Sequence, residues 1–375
     1  MVPSQTYVAI IPDDILAVQE LHLAGEGMDS ESICPSCQKT GIQPIVTSAT
    51  AQPFGNPKRA VRFFCPHCSS VHDDVTLAQL PPCPIPWQVW KDMRKIPSGK
   101  APLICRQVDM DTLETIVRRL SNDLSMGIDG IPREFYKYGP LVFLEFLRSA
   151  INAYMNGMSP TTGVHEWQGA IFSLISKTLA PLSMHDQRPI ASECTKYSIF
   201  TTVVNSLLDQ ATEDHCLIDD AQEGFRRHRS TRRQLSKLRT ILEQHSKEKS
   251  QSVVLYLDIK NAFNAVNHRA VLALLEGYGF HPADVDLFRR MYNGRFISVG
   301  NAFGETAACF LRRGVFQGDA PSPKIFTLAF DPVHKMVRAS GRGCTVAGLK
   351  HPAGSSGFAD DTILHTSGAD AIPAM

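Results

Sequence analysis

The stretch VVLYLDIKNAFNAVNH, residues 253–268, decides how this chain is read. Its opening residues, Val253, Val254, Leu255, Tyr256 and Leu257, are apolar or aromatic and favour strands. Such a run predicts a strand buried on both faces. It ends abruptly in a carboxylate, Asp258. Further on, GFADDTIL (357–364) sets two adjacent acids, Asp360 and Asp361, between short apolar arms. That is the pattern of a hairpin with carboxylates at its turn. If the two strands are neighbours, Asp258 and Asp360 come close together, and carboxylates that close need a counter-charge. Divalent metal supplies one, and two metals clamping a phosphoryl transfer are its known use. Alone, an Asp-Asp pair in a loop is usually a solvated turn or a helix cap. The joint pattern is what points to chemistry.

The chain has 375 residues, enough for two or three domains with a real core, and its net charge is +1. Overall charge therefore does not mark a nucleic-acid binder, and any such role rests on local patches. Charge is unevenly placed: residues 1–38 hold six acids and no Lys or Arg, whereas residues 225–240 hold seven Lys or Arg and no acid. The sequence has no apolar run long enough for a transmembrane helix and no signal peptide. The expectation is an intracellular protein, in the nucleus or cytoplasm, without a membrane partner. Its ten cysteines then read as thiols or metal ligands rather than disulfides.

Residues 1–32 read as an acidic, poorly tied tail. Within 33–79, Cys34 and Cys37 form one C-x-x-C pair and Cys65 and Cys68 a second, with 27 residues between. Two such knuckles predict a four-cysteine structural zinc site, because tetrahedral zinc takes four thiolates and a two-residue turn aims two at one metal. The intervening β-formers (42–46 and 59–64) suit a small β-ribbon. The bland alternative is two unrelated cysteine pairs. LPPCPIP (80–86) opens a stiff linker over 80–108.

From residue 109 the pattern turns helical. Residues 109–120 carry one apolar stripe (Leu113, Ile116, Val117, Leu120), with Asp111 as the expected N-cap. GIDGIP (127–132) is a turn-rich loop, and 140–156 a second helix stopped by Gly157. Residues 167–176 read as a strand, followed by Lys177 and then by RPI (188–190). Spacing alone leaves Lys177 and Arg188 as two surface charges. EGFRRHRS (223–230) opens the basic stretch, and a helix follows with Leu235, Leu238, Ile241 and Leu242 expected inward. Its cations, with Arg226, Arg227, Arg229, Arg232, Arg233 and Lys237 foremost, read either as a solvated face or as contacts to template phosphates. Later come helices at 261–268 and 282–292, a hairpin of 296–299 with 307–311, and the glycine-rich loop GVFQGDAPSP (314–323) leading into a helix from Lys324.

Taken together, GIDGIP, Lys177 with RPI, EGFRRHRS, LYLDIKNAFNAVNH, GVFQGDAPSP and FADD (358–361) resemble the reverse transcriptases of non-LTR retrotransposons. The similarity spans roughly residues 125–364, with group II intron reverse transcriptases more distant. The resemblance implies an α+β fold: a right-hand polymerase palm with fingers, here preceded by the zinc-ribbon-like β module. Fingers and the start of the polymerase would occupy 109–250, and a partial palm 251–375. Asp258 and Asp360 would hold two Mg²⁺ ions, with Asp361 the adjacent acid. Lys177 and Arg188 would contact the triphosphate, and Gln317 and Gly318 would line the nucleotide and template pocket. The Phe263 ring, otherwise a core aromatic, would exclude a ribose 2′-hydroxyl and favour dNTPs. The partners implied are an RNA template, a DNA primer and dNTP.

This sequence departs from the family at Asn264, where an acid is usual, and at Phe316, where a proline is usual. It also stops soon after the paired acids, so the expectation is an incomplete palm, no thumb and no endonuclease. Two activities follow as expectations: an RNA-directed DNA polymerase module, or a non-catalytic nucleic-acid-binding remnant built from zinc ribbon and basic helix. For the zinc module, metal analysis of the purified chain is expected to return about one zinc, lost on Cys34→Ser with Cys65→Ser. Zinc-free protein would mean that the two cysteine pairs are unrelated.

Overall fold

The computed structural model describes residues 95–158, 167–179, 187–259, 261–301, 304–306, 308–344 and 353–367, together with Met93 and the backbone of three short strands between 43 and 72. The chain divides into two compact units, Gln19–Cys83 and a larger one made of Pro84–Met375 with Met1–Val18.

In the smaller unit, β1 (Gln43–Ile45), β2 (Arg62–Phe64) and β3 (Val71–His72) form an antiparallel sheet in that order, with Gln43 opposite Phe64 and Phe64 opposite Val71. Pro44 sits on an edge strand, where a missing N–H is tolerated. Cys34, Cys37, Cys65 and Cys68 lie outside the described residues.

The larger unit starts with chain read above as linker, yet Met93, Ile96, Ile104 and Val108 are core residues. The reason is a carboxylate far along the sequence. Asp284, fully buried, accepts backbone N–H bonds from Leu103, Ile104 and Cys105 at 2.9, 3.0 and 2.7 Å. Next come α1 (Met110–Arg118), α2 (Arg133–Tyr138) and α3 (Leu141–Met155). The N-cap of α1 is Asp109 rather than Asp111: its side chain accepts from Thr112 N at 2.7 Å.

β4 (Gly169–Ser176) and β5 (Gln187–Glu193) form an antiparallel hairpin, and α4 (Thr195–Asp214) follows. This 20-residue helix has no counterpart in the sequence reading. It is rich in Thr and Val, which lowers helix propensity, but burial of Tyr197, Phe200, Val203, Val204 and Leu208 overrides that.

α5 (Thr231–Glu248) is the basic helix, turned differently from expectation. Gln234, Ile241 and His245 face inward, while Leu235 and Leu242 are exposed. The Gln234 amide explains the rotation. It donates to Ala221 O and Gly357 O, at 2.6 and 3.0 Å, which requires the amide to be buried beside the hairpin.

β6 (Ser252–Leu257) leads into α6 (Ala262–Ala265), α7 (His268–Gly277) and α8 (Pro282–Tyr292). β6 is half-buried, with Tyr256 70 % exposed, not buried on both faces. It is an outer strand of a three-stranded sheet, so only one side receives full cover. β7 (Phe296–Asn301) runs parallel to β4 and antiparallel to β8 (Gly304–Glu305) and β9 (Cys309–Phe310). After α9 (Ser322–Ala339), the hairpin β10 (Ser355–Phe358) and β11 (Asp361–Ser367) completes the sheet ordered β10-β11-β6.

A buried ionic knot joins the end of β5 and the start of β7 to the glycine-rich loop. Arg295, 1 % exposed, pairs with Glu193 and, at 3.4 Å, with Asp319, while its guanidinium lies 3.8 Å from the Phe316 ring centre. Two buried acids share one cation, so one proton is retained. Burial, then the Asp319 charge, pushes Glu193 up to about 8 against the pull of Arg295. Since an unfolded glutamate titrates near about 4.3, the folded chain keeps a proton that the unfolded chain releases between these values. Stability therefore falls as pH rises through that window. Between about pH 5 and about pH 8, the urea midpoint of the wild type should decline relative to that of Glu193→Gln measured at the same pH. Equal slopes would contradict the assignment.

Candidate active site

The site is built by strand register. β10 and β11 pair with Phe358 opposite Asp361, leaving Ala359 and Asp360 as the turn. β11 also pairs with β6, from Ser367 opposite Ser252 up to Thr362 opposite Leu257. One step further along that register, Asp258 stands across from Asp361, with Asp360 next to it in the turn. The structure thus brings together the three acids that the sequence singled out. Asp258 and Asp361 are exposed and Asp360 is half-buried. Among the described residues none of the three makes an ion pair.

These acids do not form a closed cage. No group of three or more His, Cys, Asp or Glu able to hold a metal converges on one point among the described residues. Open, hard oxygen ligands at one sheet end still suit magnesium, which keeps several waters and is held by one or two carboxylates plus substrate phosphates.

The hairpin is backed by the segment before the basic helix. Glu223 N donates to Gly357 O at 2.9 Å and Gly357 N to Ala221 O at 2.8 Å. Gly224 permits this approach: a Cβ there would lie 2.2 Å from Ala359 N. On the other side, the glycine-rich loop is tied to the chain after Asp258. Val315 N donates to Phe263 O at 2.9 Å and Gly314 N to Val266 O at 2.7 Å. His268 bonds Gly314 O through Nε2, and burial pushes it down to about 4, so the ring is neutral and donates. The Phe263 ring is half-buried and stacks on Phe326, 5.3 Å between centres and 9° from parallel.

The same loop continues to β5. Ala191 N donates to Gln317 O at 2.8 Å, and Ile190 is bridged to Gln317. Gly318 has φ +118°, and a Cβ there would meet Ala191 O at 2.8 Å, so only glycine fits. Arg188 lies two residues from Ile190 on β5 and pairs with Ile175; Lys177 follows the end of β4. Both cations are exposed at the same end of the hairpin. Backbone bonds thus tie β5, which carries Arg188, to Gln317, and tie Val315 of the same loop to Phe263.

The basic cluster is placed otherwise than its sequence suggests. Arg226 is buried, with its fork on both Glu213 oxygens at 3.0 Å and its remaining nitrogen on Asp219 O and Gln222 O, so it holds the fold. Arg227 pairs with Asp209, and Arg229 with Asp220 at 3.0 Å. Arg233 and Lys237 converge on the fully buried Glu223 at 3.0 and 2.6 Å. Arg232 is exposed. Gln222, Glu223 and Gln234 escaped the sequence reading as site-supporting residues. Neutral or acidic side chains beside a basic run carry no local signal of what they will hold.

Comparison with known proteins gives the family. The family model for reverse transcriptase (RNA-dependent DNA polymerase) matches residues 176–374. The chain is similar to a Transposon TX1 uncharacterized 149 kDa protein of Xenopus laevis, 23 % identical over 74 % of this chain and 21 % of that protein. It is also similar to the retrovirus-related Pol polyprotein from type-2 retrotransposable element R2DM of Drosophila melanogaster, 27 % identical over 51 % of this chain and 17 % of the relative. A Pol polyprotein from the type-1 element R2 of Popillia japonica is 25 % identical over 53 % of the chain and 27 % of its own length. The chain thus spans a minor part of each relative. Among solved structures, an apo telomerase from Candida Tropicalis, truncated from its C-terminal domain, aligns with TM-score 0.39 and 14 % identity over 56 % of this chain and 45 % of the other. That likeness is too low to argue the fold from.

Proposed function

This chain belongs to the reverse transcriptase (RNA-dependent DNA polymerase) family, and on that premise we propose that it is the polymerase module of a non-LTR, LINE-type retrotransposon protein. It would extend a DNA primer on an RNA template using dNTPs. The observation that carries this reading is the register placing Asp258 across from Asp361 and beside Asp360. Accordingly, the β10-β11-β6 sheet with α9 is the palm, and the β4–β5 hairpin belongs to the fingers.

Asp258 and Asp360 would hold two Mg²⁺ ions, which when bound lower the barrier to attack of a primer 3′-hydroxyl on the dNTP and offset charge on the departing pyrophosphate. The chain's own residues do the rest. Asp361 adds a third negative charge at that end of the sheet. Lys177, just past the end of β4, and Arg188 on β5 are both exposed and supply the cations that a triphosphate needs. Gly318 lets a base pair approach the backbone at the Gln317 loop. Phe263, fixed against Phe326, presents a ring edge where a 2′-hydroxyl would fall. Arg232, with the exposed parts of Arg227 and Arg233, is the remaining candidate surface for template phosphates. The smaller unit is read as a zinc-stabilised β module.

The test is primer extension on an RNA template with dNTPs and Mg²⁺. Extension is expected in the wild type, and a loss of about a hundredfold or more in Asp360→Asn. In the same assay Phe263→Val is expected to raise ribonucleotide incorporation by about tenfold. Salt-sensitive RNA binding without extension would replace the polymerase by a binding remnant.

A further inference from the structure

The turn that carries Asp360 is held by something outside its own hairpin. Ala359, the first turn residue, is buried and has φ +59°. This is the left-handed region, disfavoured for any residue with a Cβ. Such a residue persists where its surroundings over-determine it. Here one side chain does so. Gln222 Nε2 donates to Ala359 O at 2.9 Å, and Ala359 N donates to Gln222 Oε1 at 2.9 Å. The same Oε1 accepts from Gly224 N at 2.8 Å. Gln222 is fully buried, so water cannot take its place.

Other contacts of this segment serve a different purpose. Backbone bonds from Ala221 and Glu223, and the Gln234 amide, all go to Gly357, within β10. They fix the strand. Among the described residues, Gln222 is the side chain that bonds the turn itself, and it satisfies both backbone groups of the single residue between Phe358 and Asp360. The job needs a donor and an acceptor on one planar group, which an amide has and a carboxylate or thioether lacks.

We propose that Gln222 is a positioning residue: its side-chain amide locks the Ala359 backbone and so sets where Asp360 and Asp361 stand against Asp258. Its consequence for catalysis rests on the polymerase reading above; its consequence for the turn does not.

The full chain tests both. Gln222→Met keeps length and removes the polar atoms. Gln234→Met removes a buried amide that bonds Ala221 O and Gly357 O but not the turn. Hydrogen exchange over residues 355–364 reads the turn directly. Exchange at 359–362 is expected to quicken about tenfold or more in Gln222→Met relative to Gln234→Met, as two buried bonds are lost. In primer extension, kcat should fall about tenfold or more with the dNTP KM within about twofold, and half-saturating Mg²⁺ should rise. If Gln222→Met does not fold, Gln222→Glu takes its place: it keeps the acceptor for Ala359 N and loses the donor to Ala359 O. Equal exchange in the two methionine variants, or equal losses of kcat, would overturn the proposal. If the wild type itself does not extend, the polymerase reading fails, while faster exchange at the turn still upholds the clamp.

Discussion

Pairing of β11 with strands on both its sides is the interaction on which the site depends. On one side β10 precedes it through a two-residue turn; on the other lies β6, drawn from far earlier in the chain. Side chains alternate along a strand, so a slip of one residue would send Asp258 to the opposite face from its partner. The register must therefore be enforced, and the backbone ladder of β11 with β10 and β6 enforces it, with Thr362, His365 and Thr366 of β11 buried. Three acids gathered at one sheet end repel one another, and the ladder must outweigh that repulsion whenever metal is absent.

Around this sheet the protein spends many buried polar groups on geometry. Glu223 collects Arg233 and Lys237, Arg226 bridges Glu213 to the backbone of 219 and 222, and Asp331 takes Tyr278, Lys335 and Asp219 N. Such networks are costly if half satisfied and specific when complete. Their common effect is to hold the 217–226 segment against α9 and the hairpin. The ionic knot at Arg295 does the same for the Gln317 loop and β5. Loops that would otherwise be adaptable are thereby fixed around the acids.

Much of this was legible in the sequence. The hairpin at the paired acids, the strand before Asp258, the helix at 282–292 and the helix stopped by Gly157 follow from local pattern, because their hydrophobic period and turn residues agree. What was not legible came from distant partners. The basic run of 225–240 contains no acid, yet Asp209, Glu213, Asp220 and Glu223 lie just outside it and neutralise most of its cations. α5 turned its leucines outward because a glutamine was needed inside. α4 formed against its propensity, since its aromatic face is buried. Residues 93–108 look like linker until Asp284, far along the chain, is found to cap them. Of the site itself, the carboxylates and the glycine loop were readable; the amide that holds their turn was not, since a glutamine has no signature apart from its partners.

Divalent-metal binding tests the central claim most directly. Mn²⁺ bound to the full chain would be counted by electron paramagnetic resonance, in the presence of primer–template and dNTP. About two ions per chain are expected in the wild type, with clear loss in Asp258→Asn while the urea midpoint stays close to wild type. Undiminished Mn²⁺ binding in Asp258→Asn would contradict the account, because the strand register would then have assembled the acids for some purpose other than metal.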